Sequence, residues 1–172
     1  NDSALVVHMA GIQQAWVHLQ PVNPPITIPA TGGSFQYTIS LTNCGTVSCL
    51  PTVWVMVTLP TGHAYGPALG PINVALDTSA TVTRLRTQTV PGSAPAGVYT
   101  YKAYVGTYQG AKWDSSSFTF TKAGAGGWGL GAGEWTCDGE PFPDEVVSSQ
   151  PTACSLLKCL PNPFNPSTAI SY

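Results

Sequence analysis

Short runs of β-branched and aromatic residues, separated by clusters of turn-forming residues, dominate residues 15–122 of this chain. In residues 35–41 every second side chain is apolar or aromatic, which is the period of a strand with one buried face. Residues 53–57 are apolar on both faces, as expected of a central strand. Pro- and Gly-rich clusters such as residues 91–97 separate these runs. The pattern predicts seven strands: Ala15–Gln20, Ser34–Asn43, Thr52–Leu59, Ile72–Leu76, Ala80–Val90, Val98–Thr107 and Ser116–Thr121.

Seven short strands at this spacing predict an all-β fold, a seven-stranded antiparallel immunoglobulin-like sandwich over residues 15–122. Residues 1–14 precede it as an N-terminal extension that contains a strand-like run. Residues 123–160 form a Gly-rich tail with three cysteines, and we expect this tail to be ordered because it packs on its own sandwich or on a neighbouring subunit. Residues 161–172 form a last segment that ends in a second strand-like run. Strand-like runs at both ends either extend the sheets of their own domain or add to a sheet of another copy.

The scarcity of charge excludes several classes of protein. Only 14 of the 172 residues are charged, which is 8%, against about 25% in an ordinary soluble domain. A net charge of −2 with six scattered cations offers no basic patch for nucleic acid. The sequence contains no run of 18 apolar residues, which is about the length that a transmembrane helix needs. Because solubility depends on charge, we expect other chains to cover a surface this neutral.

The five cysteines predict disulfides in an exported protein. Two of them flank a short loop, and a disulfide there would contribute roughly 2 kcal/mol. Pairing of the third with either of the last two would close a loop of about 20 residues, worth roughly 3 kcal/mol, and would order the tail. One cysteine is left over, as an intersubunit disulfide or a buried thiol, and a zinc site made by two cysteine pairs is a weaker alternative. The disulfide candidates are Cys44, Cys49, Cys137, Cys154 and Cys159.

The chain carries no recognisable catalytic or metal-binding pattern. Its three histidines are scattered, and neither an H-E-x-x-H helix nor a G-x-S-x-G turn occurs. An acidic cluster at residues 134–145 lacks the D-x-D-x-D-G spacing of a calcium loop. We therefore predict a non-enzymatic protein that uses no cofactor and no metal.

Residues 161–172 (Pro-Asn-Pro-Phe-Asn-Pro-Ser-Thr-Ala-Ile-Ser-Tyr) are the most specific feature of the sequence. This run resembles the start of the C-terminal sorting domain of proteins exported by the type IX secretion system, although nearby Cys154 and Cys159 depart from that pattern. Residues 35–122 look like an immunoglobulin-like module that often precedes such sorting domains. The resemblance implies export across the outer membrane of a Gram-negative-type bacterium and a final location outside the cell or on its surface.

Together these features predict a non-catalytic extracellular structural subunit that self-assembles with copies of itself into a filament or a surface layer. Tail or strand exchange between immunoglobulin-like domains would join the copies. The candidate assembly residues are large apolar or aromatic side chains in the termini and the tail: Leu5, Val6, Val7, Trp128, Trp135, Phe164, Ile170 and Tyr172. The alternative is a carbohydrate-binding or adhesive module of a larger secreted protein, in which exposed rings stack on surface glycans.

Overall fold

The computed structural model describes residues 14–124 and 135–143. These residues form nine strands in two sheets and no helix, so none of them belongs to a helix that could cross a membrane. The strands are β1 (Ala15–Pro21), β2 (Ile26–Ile28), β3 (Gly32–Asn43), β4 (Thr52–Thr58), β5 (Ala64–Asn73), β6 (Thr81–Pro91), β7 (Gly97–Gly106), β8 (Lys112–Lys122) and β9 (Cys137–Gly139).

The strand order is that of an immunoglobulin-like sandwich. One sheet has the order β1-β3-β6-β9 and the other β2-β8-β7-β4-β5. In immunoglobulin terms, β1, β3 and β6 are strands A, B and E, while β4, β5, β7 and β8 are C, C′, F and G. Strand A divides between the sheets, because β1 pairs antiparallel with β3 and β2 pairs parallel with β8. The predicted all-β, immunoglobulin-like class is confirmed.

The predicted number of seven strands is wrong, because the described residues hold nine. β2 is a three-residue strand that follows Pro24-Pro25, and β9 lies in the tail. The predicted strand Ile72–Leu76 is misplaced, since β5 runs over Ala64–Asn73. Two bulges against β4 interrupt the pairing of β5, and the Gly-Pro pairs within residues 64–71 give that part of the strand the composition of a turn.

The core lies where the alternating side chains of both sheets meet. In β3 the inward residues from Phe35 to Leu41 are buried, and in β4 the inward valines have no exposed surface. Phe35 packs edge-on against Tyr101 and Phe118, with ring centroids 5.4 and 5.7 Å apart. Such contacts stabilise aromatic cores beyond the area they bury.

A tyrosine corner marks the connection from β6 to β7. The hydroxyl of Tyr99, the third residue of β7, donates a hydrogen bond to the carbonyl of Pro95 four residues upstream. This arrangement at the start of strand F is characteristic of immunoglobulin-like sandwiches. Burial raises the pKa of Tyr99 to about 12.

Candidate functional site: the tail strand and the sheet surfaces

The tail returns to its own sandwich as an additional edge strand. β9 runs antiparallel to β6, with Cys137 opposite Gln88 and Gly139 opposite Arg86. Flanking backbone bonds continue the pairing, from Thr89 N to Thr136 O at 2.8 Å and from Glu140 N to Leu85 O at 3.0 Å. In immunoglobulin-like domains strand D, which precedes strand E in the sequence, takes this edge. Here β5 connects directly to β6, and a segment from beyond strand G fills the vacant place.

Two aromatic residues anchor the tail in the sandwich. Phe142 is only 1% exposed and belongs to the hydrophobic core. Trp135 is half-buried, with its ring centroid 5.5 Å from that of Tyr65 and 5.8 Å from that of Tyr99. Trp135, an assembly candidate, therefore packs on its own chain in this structure. The other assembly candidates lie outside the described residues: Leu5, Val6, Val7, Trp128, Phe164, Ile170 and Tyr172.

Two arginines of β6 also hold the tail. Arg86 is 3% exposed and donates to the carbonyls of Glu140 at 2.8 Å and Cys137 at 3.4 Å. Arg84 Nε donates to the carbonyl of Pro141 at 2.6 Å. In return, the Glu140 carboxylate accepts the backbone N–H of Leu85 at 2.9 Å. Charged and backbone groups thus reinforce the short ladder between β6 and β9.

A buried chain of hydrogen bonds joins the tail to the core. Tyr101 Oη lies 2.7 Å from Gln88 Oε1 and 3.0 Å from Tyr37 Oη, and Tyr37 Oη lies 3.2 Å from Cys137 Sγ. Gln88 Nε2 donates to the carbonyls of Thr89 and Thr136, so Oε1 is the acceptor end of the amide. Because Tyr101 has one hydroxyl proton and Oε1 can only accept, Tyr101 donates to Gln88. The same hydroxyl also points at Tyr37 Oη as donor, and in the contact between Tyr37 and Cys137 either group can donate.

The two phenols of this network are neutral. Burial raises the pKa of Tyr37 well above its ordinary value, and the negative charge that Cys137 would carry as a thiolate raises it further. Burial likewise raises the pKa of Tyr101, and a charge on Tyr37 would add to the effect. Both phenols therefore keep their protons within the network.

The state of the cysteines differs from the prediction of a disulfide-containing tail. The described residues contain no disulfide, and Cys137 is a thiol in contact with Tyr37. Cys44 and Cys49 flank the loop after β3. Burial raises the pKa of the Cys49 thiol, and the negative charge that Cys44 would carry as a thiolate adds to the effect. The predicted disulfide between Cys44 and Cys49 and the predicted pairing of Cys137 with a later cysteine are therefore not supported. Cys154 and Cys159 themselves lie outside the described residues.

Side chains close one edge of the sandwich against strand addition. On the edge of β1 that faces away from β3, the N–H groups of Val17 and Leu19 donate to Asp114 Oδ2 and Ser116 Oγ, each at 3.0 Å. Both acceptors lie on β8 in the opposite sheet, at inward positions. Neither was predicted from the sequence, although two polar residues in step with an inward phenylalanine, Phe118, were a usable signal. An edge whose donors are taken offers little to a strand from another copy.

The outer face of β1, β3 and β6 carries no Lys, Arg, Asp or Glu. Hydroxyl groups pair across the strands, Ser40 with Thr83 at 2.8 Å and Thr42 with Thr81 at 2.9 Å. Trp16, 56% exposed, is the largest apolar side chain on this face. No Lys, Arg, Asp or Glu side chain of β1, β3 or β6 stands on this face to oppose the approach of a second uncharged surface.

An aromatic cluster covers part of the outer face of the other sheet. Trp54 is 4% exposed and stacks on Tyr104 at 5.6 Å, while Tyr108 meets it edge-on at 5.4 Å. The ammonium groups of Lys112 and Lys102 lie 4.4 and 5.2 Å from the centroid of the Tyr104 ring. Trp54 is therefore too enclosed to stack on a sugar, and cations already contact Tyr104.

No metal-binding cluster of three or more His, Cys, Asp or Glu residues occurs within residues 14–124 and 135–143. The Glu140 carboxylate, which lies against β6, is bonded to the N–H of Leu85 and so serves the strand pairing.

Comparisons with known proteins concern the fold alone. No family model and no curated protein matches the chain. The CARDB domain of PF1109 from Pyrococcus furiosus is similar over 63% of this chain and 91% of that domain, with 15% identity and a TM-score of 0.47. The alkylpurine DNA glycosylase AlkC of Pseudomonas fluorescens is similar over 62% of this chain, with 15% identity and a TM-score of 0.47. The β-glucuronidase of Bacteroides uniformis is similar over 63%, with 9% identity and a TM-score of 0.49. The similar region spans 30% and 14% of these two enzymes.

Proposed function

We propose that the protein is a non-catalytic extracellular structural subunit that self-assembles into a filament or a surface layer by exchanging tail segments between immunoglobulin-like domains. The observation that carries this proposal is the position of residues 135–143. They occupy the edge that strand D takes in immunoglobulin-like domains, through interactions that the tail of a second copy would reproduce unchanged. Exchange of an identical element between copies costs little, because the incoming tail makes the same interactions as the one it replaces.

The sequence between the last sandwich strand and the tail is long enough for such an exchange. Ten residues, five of them glycine, separate Gly124 from Trp135. A segment of this length spans roughly 35 Å when extended, which is comparable with the diameter of a small domain. If each copy gives its tail to the next and the rotation between copies does not close, the product is a filament.

Two further observations support contacts between copies. The outer face of β1, β3 and β6 is uncharged and carries the exposed Trp16. The low charge of the whole sequence fits a surface that other chains cover. An extracellular location is supported by the same composition and by the resemblance of residues 161–172 to a type IX sorting domain.

Cross-linking of mixed copies tests the exchange. Thr87 and Asp138 are opposite each other in the β6–β9 register, so a disulfide between cysteines there reports the tail on that edge. We would place T87C in one copy and D138C in another, each with all five native cysteines replaced by serine, then mix and oxidise them. The expected result is a covalent dimer on a denaturing gel. T38C, on β3, replaces T87C in the control and should give no dimer with D138C.

The possible results separate the two parts of the proposal. Filaments or layers in negative-stain micrographs, together with the mixed dimer, would support assembly by tail exchange. Polymers without the mixed dimer would contradict tail exchange but leave self-assembly standing. A monomer at all concentrations in light scattering would contradict self-assembly itself.

A carbohydrate-binding or adhesive module is the second candidate, and exposed Trp16 favours it. Trp16 stands beside Thr42 on a face rich in hydroxyl groups, and an exposed ring in that position can stack on a sugar. Glycan-array binding by the wild type that W16A abolishes would support this candidate. V98A, which removes a 58% exposed apolar side chain from the other sheet, is the matched control and should bind like the wild type.

A further inference from the structure

The buried side chain of Lys122 joins two loops at one end of the sandwich. Lys122 is the last residue of β8, points inward in step with Phe120, and is only 3% exposed. Its ammonium group donates to the carbonyl of Ala30 at 3.0 Å and to that of Gly92 at 3.1 Å. A lysine ammonium has three N–H donors, and the third has no partner among the described residues.

A cavity of about 220 Å³ opens beside this lysine. Its walls are small residues of the loops that follow β2, β6 and β8: Ala30, Gly92, Ser93, Ala94, Ala96, Ala123 and Gly124. At roughly 30 Å³ for each water molecule, the cavity has room for about seven. The Ser93 hydroxyl at its exposed rim makes no hydrogen bond to another described residue.

No described acidic side chain lines the cavity. Asp114 accepts the N–H of Val17 and Glu140 that of Leu85, so both are bound elsewhere. Asp138 lies on β9 opposite Thr87, and Asp77 lies in the loop before β6. An ammonium group removed from water is costly without a counter-charge, and two carbonyl dipoles compensate only part of that cost.

We infer that this cavity is a carboxylate-binding site, in which Lys122 provides the positive charge and Ser93 a hydroxyl donor at the rim. One carboxylate oxygen would accept the third N–H of Lys122, while the small walls leave room for a short substituent. A lysine that served only to join the two loops would need the carbonyl bonds but no anion. The site is independent of the tail contacts and of the proposed assembly.

Titration of the full chain with sodium acetate, followed by ¹H–¹⁵N correlation spectra, tests this inference. We expect saturable shifts of the Gly92, Ser93 and Gly124 amide signals, which sodium chloride at equal ionic strength does not produce. In K122M the response should weaken at least tenfold, whereas K122R should retain it. K112M, which removes an exposed lysine over Tyr104, is the matched control and should respond like the wild type.

A second arm distinguishes a carboxylate in solution from one of the chain itself. Glu134 is the first acidic residue after Gly124 in the sequence. A response of E134Q but not of the wild type would support a site that the chain's own carboxylate fills. If neither protein shows saturable shifts while its spectrum stays that of a folded domain, the inference is overturned, whatever the folding of K122M.

Discussion

Replacing Phe142 by alanine tests whether the tail is part of the cooperative fold. The Phe142 side chain is 1% exposed and lies in the same core as the strands of both sheets. Truncation of a buried phenylalanine to alanine costs about 3–5 kcal/mol, because apolar burial is reduced and a cavity is left behind. That is a large part of the roughly 5–15 kcal/mol that stabilises a typical domain. We therefore expect F142A to lower the free energy of unfolding by about 3–5 kcal/mol.

Urea unfolding followed by tryptophan fluorescence and by far-ultraviolet circular dichroism measures this change. Both probes should give one transition at a lower midpoint with an unchanged slope. V98A removes a 58% exposed side chain from β7 and should stay within about 0.5 kcal/mol of the wild type. If F142A also stays within about 0.5 kcal/mol, the tail does not unfold with the sandwich, and its role as the missing edge strand is refuted.

Three further predictions follow from individual contacts. D114A removes the acceptor of the Val17 N–H and should cost about 1–3 kcal/mol in urea unfolding, while opening the β1 edge to pairing between copies, which light scattering would detect. Y101F leaves Gln88 Oε1 buried without its donor and should also cost about 1–3 kcal/mol in urea unfolding. Burial raises the pKa of Tyr99 to about 12, above the value near 10 in the unfolded chain, so unfolding free energies should be undiminished below about pH 10 and fall between about pH 10 and 12.

Each of these predictions has a clear contrary result. Unchanged stability and solution size of D114A would show that β1 needs no cap from β8. A neutral effect of Y101F would contradict the donation from Tyr101 to Gln88 Oε1. A stability profile that stays flat from about pH 8 to 12 would contradict a raised phenol pKa, and Y99F should have a smaller loss over that interval than the wild type.

The long strands could be predicted because their signal is local. Alternation in residues 35–41 identifies the inward face of β3 without knowledge of its partners. Residues 64–71 of β5 escaped prediction, since Gly66-Pro67 and Gly70-Pro71 are normal in turns and become acceptable in a strand only at a bulged sheet edge.

The tail strand could not be predicted from its residues. Cys-Asp-Gly has no alternating apolar pattern, and its pairing is specified by side chains far away in sequence, such as Arg86, which is 51 residues from Cys137. Phe142 stands between two prolines and therefore resembles a loop residue. We expected the tail to pack on its own sandwich or on a neighbouring subunit, and the three-dimensional contacts show that residues 135–143 pack on their own sandwich.

The direction of β9 would allow residues 135–143 to stand at a different place in the sequence without a change in the sheet. β9 runs antiparallel to β6, from Cys137 opposite Gln88 to Glu140 beside Leu85. Its C-terminal end therefore lies toward the start of β6 at Thr81, as in a hairpin whose second strand is β6. Residues 135–143 could thus be transposed to a place directly before β6 with strand direction and register preserved. A chain rearranged in this way would build the same sheet with residues 135–143 and β6 as consecutive strands, joined by a short connection. Natural connectivity instead leaves completion of this edge to a segment synthesised after β1 to β8, so its pairing forms only once the other strands of both sheets are present.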